Sequence, residues 1–398
     1  MGEPKMLELA GRSLEMRGIP NDTPRFVIRI SQQPERPRAL RAREAFLASA
    51  GALPEGFGLY LAIKERSATL ETLPPGAKAI VLPEGFDYLA DGDVMRVSPK
   101  TNGVRILYRR ASPHNHFLTT ERCNHYCLMC SQPPKNTDDS WIVEDIIATI
   151  PLIDPATREI GFTGGEPTLL GDDFFRVLRL TKSYLPQTAI HILSNGRLFS
   201  DENFVRTYAE IQHRDMMIGI PIYSDVSDVH DFVVQSDGAF DETIRGILNL
   251  KRHGQKVEIR VVVHQQTYGR LPQLAEFIAR NLTFVDHVAL MGLEITGFTR
   301  VNLEQLWIDP LDYQAQLYQT VTLLADHRIN VSIYNHQLCV LDRRLWSFAR
   351  KSISDWKNEY MPECEGCRER DNCGGFFSSA KLRYSKHITA FVGEHDGE

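Results

Sequence analysis

The chain has 398 residues, 42% of them hydrophobic and 24% charged, with a formal net charge of −6. That is core enough for one large α/β domain and a smaller one. The acidic balance argues against a nucleic-acid surface, and no run approaches the roughly 18 apolar residues that a spanning helix needs. The start, MGEPKMLELAGRSLEMRG, is charged throughout and lacks the apolar centre of a secretory signal. A cytoplasmic chain is therefore expected. There, closely spaced cysteines read as metal ligands or catalytic thiols rather than disulfides.

Residues 1–112 read as a small β-rich leader domain. Strands are expected at Arg25–Ile30, Leu59–Glu65, Ala77–Leu82, Asp93–Val97 and Val104–Arg110, the last two flanking the hairpin signal Asn102-Gly103. Arg38–Ala50 reads as one helix. From residue 113 to about 335 the pattern changes to alternating strands and amphipathic helices. Strands are expected at His116–Thr120, Glu159–Thr163, Ala189–Ser194, Met216–Ser224, Val257–His264 and His287–Gly292. The helices between them are Trp141–Ile153, Asp172–Tyr184, Glu202–Ile211, Asp241–His253, Pro272–Asn281 and Asp312–His327. Asp241 would cap its helix and Gly254 stop it. Six strand–helix repeats imply a parallel sheet with right-handed crossovers, hence a partial (β/α)6 barrel, with an open doubly wound sheet as the alternative. Residues 336–398 hold a cysteine-rich segment and a polar tail.

The seven cysteines carry most of the information. Cys123, Cys127 and Cys130 form CxxxCxxC directly after a strand. Three thiolates on one loop suit three irons of a cubane cluster and leave the fourth iron open. A zinc site completed by His125 or a distant cysteine, or a thiol group without metal, stays open at this point. Downstream, the second strand runs into Gly164-Gly165-Glu166-Pro167. The glycine pair lets backbone approach a ligand closely, and Glu166 could accept hydrogen bonds from a ligand ammonium. The third strand ends in Ser194-Asn195-Gly196, polar groups suited to ribose hydroxyls. All three motifs fall at the C-terminal ends of successive strands, the face where β/α barrels assemble their sites.

In that order, CxxxCxxC, GGE and SNG, the region 116–300 resembles the radical S-adenosylmethionine (SAM) superfamily. The resemblance implies a radical SAM partial barrel in which Cys123, Cys127 and Cys130 ligate a 4Fe–4S cluster and SAM chelates the open iron. It places Gly164, Gly165 and Glu166 at the SAM amino group, Ser194 and Asn195 at the ribose, and Ser224 and Arg260 at the carboxylate or ribose. The segment MGLEITGF (291–298) falls where the family meets adenine through backbone. Met129 departs from the aromatic residue often found before the third cysteine, although a thioether can also pack on adenine. Cys364-x2-Cys367-x5-Cys373 is similar to the closing part of SPASM and twitch auxiliary-cluster domains. With Cys339 it supplies four thiolates for one auxiliary 4Fe–4S cluster, with a zinc site as the alternative.

Finer likeness lies in TERCNHYCLMCSQPPK (120–135), IPIYSDVSDVHD (220–231), ISDWKNEY (353–360) and CEGCRERDNCGGFF (364–377). These resemble HxsC, the radical SAM maturase family of the His-Xaa-Ser peptide system. That likeness implies a precursor peptide with His-Xaa-Ser repeats as substrate, a sister radical SAM maturase as partner and flavodoxin or ferredoxin as electron donor. A radical SAM enzyme acting on RNA or a small molecule, and a non-catalytic scaffold, are the rival readings. His114, His116 and His125 read as core or surface histidines, and His230-Asp231 as a helix cap. Tyr223, Tyr268 and Tyr334 read as aromatic core.

Overall fold

The computed structural model describes residues 7–48, 53–351 and 359–393. Residues 353–358 of ISDWKNEY, the last residues of the polar tail and the end of the expected Arg38–Ala50 helix lie outside the described residues. Two compact units are present. One comprises Met1–Phe117, Asp139–Gly161 and Arg176–Ala189; the other comprises Leu118–Asp138, Phe162–Phe175 and Ile190–Glu398.

The first unit is built on an eight-stranded mixed sheet. Its strands are β1 (Ala10–Arg12), β2 (Glu15–Arg17), β3 (Phe26–Ser31), β4 (Glu44–Leu47), β5 (Leu59–Ile63), β6 (Ala79–Leu82), β7 (Val94–Ser98) and β8 (Gly103–Tyr108). The order is β1-β8-β7-β3-β4-β5-β6-β2, with β3 to β6 parallel. Both faces are covered, one by Ile28, Ile30, Leu59, Leu61, Ile80 and Leu82, the other by Phe46, Phe57, Tyr60, Ala62 and Val81. That is why EAFL, LYLAI and AIVL run apolar without alternating. The sequence pointed to a helix over Arg38–Ala50. Only one turn, Arg38–Arg41, is helical, and the following residues form β4, a central strand. Burial of Ala45, Phe46 and Leu47 on both faces of the sheet outweighs the helical propensity of Ala, Arg and Glu. The β7–β8 hairpin forms as expected, closed by a turn over Pro99–Thr101 and Asn102 at φ +52°.

A second sheet has seven strands, one more than the sequence suggested. They are β9 (Asn115–Leu118), β10 (Glu159–Thr163), β11 (Ala189–Leu193), β12 (Met216–Pro221), β13 (Lys256–Val263), β14 (His287–Gly292) and β15 (Val331–Tyr334). They stand in chain order, β11 to β15 all parallel. The longer helices are α1 (Trp141–Thr149), α2 (Asp172–Tyr184), α3 (Glu202–Ala209), α4 (Ser227–Val234), α5 (Ala239–Arg252), α6 (Leu271–Asn281) and α7 (Gln314–Asp326). This is the expected α/β class: a curled parallel sheet forming a partial barrel, with β9 and β15 as its edges. The short β15, VSIY, was missed because four residues carry little periodic signal.

The two faces of this sheet differ. Ile190, Ile192, Ile218, Ile220, Val257, Ile259, Val261, Val288, Leu290 and Ile333 all lie on one face and are buried. On the other, His191, Leu193, Met217, Arg260, Val262, His287, Met291 and Tyr334 are only half-buried. One face is dry core under the helices; the other is open.

Local signals account for the helix ends. α5 begins at Ala239 rather than behind a capping Asp241. Its first amides are capped instead by Asp231, whose Oδ2 accepts from Gly238 N (2.6 Å) and Oδ1 from Phe240 N (2.8 Å). At the other end Gly254, at φ +69°, donates to Lys251 O while Gln255 donates to Leu250 O, closing the helix.

Candidate functional site

The three cysteines sit on the loop that leaves β9, and three separate segments hold its backbone. Beside β10, Thr119 N donates to Thr163 O (2.7 Å), Gly165 N to Thr120 O (2.8 Å) and Glu166 N to Arg122 O (2.8 Å). From α4, Val234 O accepts from Tyr126 N and Val233 O from Leu128 N. From the segment after β14, Phe298 N donates to Cys130 O, Thr299 Oγ1 to Met129 O and Asn302 Nδ2 to Leu128 O. The glycine pair serves this docking. A Cβ on Gly164, at φ +152°, would strike Thr120 O, and one on Gly165 would strike Arg122 O. On the side where a Cβ would stand, these glycines are approached by the cysteine loop's own backbone.

The three thiols are half-buried, and Cys127 packs beside Leu128, Met129, Tyr223, Val233 and Leu306. Burial pushes the Cys123 thiol up to about 12, and it raises Cys127 and Cys130 as well. Each thiolate of the loop would also repel another: Cys123 and Cys127 both feel Cys130. Three thiols that resist ionisation unless a cation joins them are a fitting donor set for a metal cluster. Among the described residues, no three His, Cys, Asp or Glu side chains are gathered tightly enough to enclose a single metal ion.

Glu166 is fully buried at the end of β10. Its Oε1 accepts from Thr168 N (3.0 Å), Thr168 Oγ1 (2.6 Å) and Ser194 Oγ (2.8 Å), and its Oε2 from Asn195 N (2.6 Å). Burial raises its carboxyl above the usual range, and these hydrogen bonds work against that rise. Asn195 Nδ2 then donates to Asn124 Oδ1 (2.6 Å), next to Cys123. Thus the cysteine loop, Glu166, Ser194 and Asn195 form one hydrogen-bonded knot at the C-terminal ends of β9, β10 and β11. Ser224 and Arg260 are engaged elsewhere. Ser224 Oγ accepts from Val226 N ahead of α4, and Arg260 bonds Glu258 and Met291 on β13 and β14. Asn124, Thr168 and Asn302 are site residues that sequence reasoning passed over. Asn124 and Asn302 act through partners distant in the chain, whereas Thr168 bonds Glu166 only two residues away, in the turn that follows the glycine pair. Tyr223 is buried beneath the loop, Tyr334 is half-buried on the open face, and His125 is buried within the loop itself.

The other four cysteines also lie near one another. Cys339 follows β15 in a turn, and its thiol is raised by burial and by Cys373 and Cys367 nearby. Cys364 is raised by burial and by Cys339, Cys373 and Cys367. Val340, Met361, Phe376 and Ile388 form the small core that Cys339 and Cys364 pack against. A small cavity of about 60 Å³ lies between the ends of β14 and β15 and this segment; Trp307, Tyr313, Gln337, Phe376 and Arg383 help line it.

Residues 117–278 match the radical SAM superfamily. The chain carries a radical SAM domain. Pre-heme d1 synthase of Dinoroseobacter shibae is 27% identical over 158 residues, 39% of this chain and 37% of that protein. Among solved structures, Streptococcus suis SuiB bound to S-adenosylmethionine aligns with TM-score 0.46 and 14% identity, covering 70% of this chain and 58% of that one. The native anSMEcpe with bound AdoMet aligns with TM-score 0.43 and 15% identity, covering 54% and 63%. The chain therefore spans less than two thirds of the length of each. The radical SAM match covers the cysteine loop, Glu166, Asn195 and Arg260 but stops short of Cys339. No helix among the described residues is long and apolar enough to cross a membrane.

Proposed function

We propose that this chain is a cytoplasmic radical SAM peptide maturase whose substrate carries His-Xaa-Ser repeats. The observation that carries the SAM reading is the knot in which Glu166 ties the ends of β10 and β11 to the loop bearing Cys123, Cys127 and Cys130. The peptide reading rests on the HxsC-like runs at 120–135, 220–231 and 364–377 and on the second cysteine group. In this reading Cys123, Cys127 and Cys130 hold a 4Fe–4S cluster, Gly164, Gly165 and Glu166 face the SAM amino group, and Ser194 and Asn195 face its ribose. Ser224 is kept as a SAM contact by resemblance only. Cys339, Cys364, Cys367 and Cys373 hold an auxiliary 4Fe–4S cluster, with zinc as the competitor.

A cluster held by Cys123, Cys127 and Cys130, with SAM at its open iron and flavodoxin or ferredoxin as electron donor, would supply radical hydrogen abstraction from the peptide. The chain's own part is positional. Glu166 fixes the spacing between the thiols and Ser194-Asn195, so a ligand spanning them meets a preformed site. Tyr223, Leu128, Met129, Val233 and Leu306 exclude water from behind the loop. A sister maturase is the proposed partner.

The likeness to pre-heme d1 synthase keeps a small-molecule substrate as the second reading. Anaerobic reconstitution, iron counting and a 5′-deoxyadenosine assay test the chemistry. Mass spectrometry of a His-Xaa-Ser repeat peptide incubated with enzyme and SAM tests the substrate. Turnover that leaves the peptide's mass unchanged, with 5′-deoxyadenosine formed, would favour the small-molecule reading.

A further inference from the structure

The open face of the second sheet carries a charged group beyond the cysteine loop and the Glu166 knot. Glu258 and Arg260 lie on β13, His191 on β11 and His287 on β14. Arg260 Nη1 donates to Glu258 Oε1 at 2.5 Å, and His287 Nδ1 lies 2.7 Å from Glu258 Oε2. His191 Nε2 is 3.4 Å from Glu258 Oε1. On the far side, His287 Nε2 is 3.0 Å from Ser332 Oγ on β15. Arg260 Nη2 also reaches Met291 Sδ at 3.1 Å. Gly219 on β12 makes room for the group, since a Cβ there would lie 2.8 Å from Arg260 Cδ and 3.1 Å from His191 Nε2.

Interior positions of β/α barrels are usually filled by bulky apolar side chains, and a buried carboxylate is costly unless paired. Here the pairing is asymmetric. The Glu258 side chain is 5% exposed, whereas Arg260, His191 and His287 are 17%, 13% and 18% exposed. The acceptor is sunk beneath the donors; His287 spends Nδ1 on Glu258 and Nε2 on Ser332, and His191 turns Nε2 toward Glu258, so the donor that the open face presents is the Arg260 guanidinium. Arg260 uses Nη1 and Nη2 as above, and its planar fork carries five N–H groups in all. A guanidinium backed by two imidazoles matches a carboxylate better than any neutral group.

We propose that Arg260 recognises a carboxylate of the substrate, with Glu258 as the buried positioning residue that holds it and His191 and His287 packed beside it on the same carboxylate. For a peptide, that carboxylate is an acidic side chain or the chain's C-terminus. Assigning the ligand to the substrate rests on the radical SAM reading; the carboxylate site itself does not. It also moves Arg260 away from the SAM contact implied by resemblance.

The test uses the anaerobically purified full-length chain with ¹³C-labelled histidine rings, His191 and His287 being assigned from H191Q and H287Q. The probes are succinate, its neutral diamide succinamide, and S-adenosylhomocysteine. Succinate is expected to shift the His191 and His287 signals saturably, while succinamide does not and the exposed His327 stays put. R260Q should weaken succinate roughly tenfold or more. The unaltered chain already decides between succinate and succinamide, so a poorly folding variant does not remove the test. No saturable shift with succinate, or an equal response to succinamide, overturns the carboxylate site. Displacement of succinate by S-adenosylhomocysteine gives the site to SAM and overturns the substrate assignment. None of these readouts needs SAM cleavage, so failure here is distinct from failure of the proposed function.

Discussion

The cysteine loop at 123–130 and the cysteine-rich segment from 359 to 393 are held in place by different means. The first is tied by backbone hydrogen bonds to the β10 end, to α4 and to the stretch after β14. The second, among its described residues, is built of short 3-10 turns with one isolated antiparallel bridge between Glu359 and Phe376. Its core is the small group Val340, Met361, Phe376 and Ile388. A loop fixed by its scaffold is preformed for its ligand. A segment with so little buried area leans on whatever its thiols bind, as small metal-bound domains do.

The largest effects should separate these regions outright. Cys123→Ala, Cys127→Ala or Cys130→Ala should each bring 5′-deoxyadenosine formation down to background. Cys364→Ala should instead remove about half the iron and leave the first cluster in place, four irons being bound per 4Fe–4S cluster. Iron and zinc analysis of anaerobically purified protein reads both. Roughly four irons with one zinc per chain would defeat the auxiliary cluster, and roughly eight irons without zinc would support it.

Stripping the metals should sharpen the contrast further. Hydrogen exchange across 359–393 should speed up by roughly tenfold or more, while amides 119–130 keep most of their protection. Equal loss of protection in both regions would show that the first loop also depends on its metal.

Glu166→Ala should come next. It strands the donors of Thr168, Ser194 and Asn195 in a buried site. At about 1–3 kcal/mol for each buried group left unpaired, destabilisation on the order of 3 kcal/mol or more is expected. Thermal unfolding of the metal-free chain measures this without any contribution from SAM. A loss below about 1 kcal/mol would mean that water replaces the carboxylate and the knot is weaker than its geometry suggests.

What could be read from the sequence follows the same divide. Strands Glu159–Thr163 and His287–Gly292 and helix Asp172–Tyr184 matched to the residue, because long amphipathic repeats carry a clear period. The cysteine, GGE and SNG motifs were visible because they punctuate strand ends. The packing of the glycines against the cysteine loop was not, since it depends on Thr120 and Arg122, some forty residues earlier. β4 was misread because EAFLA favours a helix locally and becomes a strand only between β3 and β5. The Glu258 group was invisible for a related reason. Its members stand on β11, β13 and β14, and only the parallel register brings Glu258 opposite His287.

Acid should probe that group at smaller cost. Burial works to raise the Glu258 carboxyl, but hydrogen bonds from His191 and His287 and the charge of Arg260 outweigh it and hold the carboxyl well below 4.5. Its contribution to stability is therefore fully present above the ordinary carboxylate range and lost as pH falls below it. Between about pH 5 and 3 the unaltered chain should lose stability faster than Glu258→Gln does. Parallel slopes would show that Glu258 is not ion-paired in solution.

The smallest effect concerns the turn between α4 and α5. Asp231 accepts from Gly238 N and Phe240 N there, and Ser236 N donates to Asp231 O. Removing an N-terminal cap of this kind costs about 1 kcal/mol, so Asp231→Ala should lower stability by that amount. The same turn follows Val233 and Val234, whose carbonyls receive Leu128 N and Tyr126 N from the cysteine loop. If the loop is over-determined, the β10 end and residues 298–302 should hold it when this support softens. Exchange at the Tyr126 and Leu128 amides should then rise while bound iron and 5′-deoxyadenosine formation stay near their original levels. Loss of iron from Asp231→Ala would mean that the α4 contact alone sets the loop. In that case the first cysteine region would resemble the second, one contact away from depending on its ligand for shape.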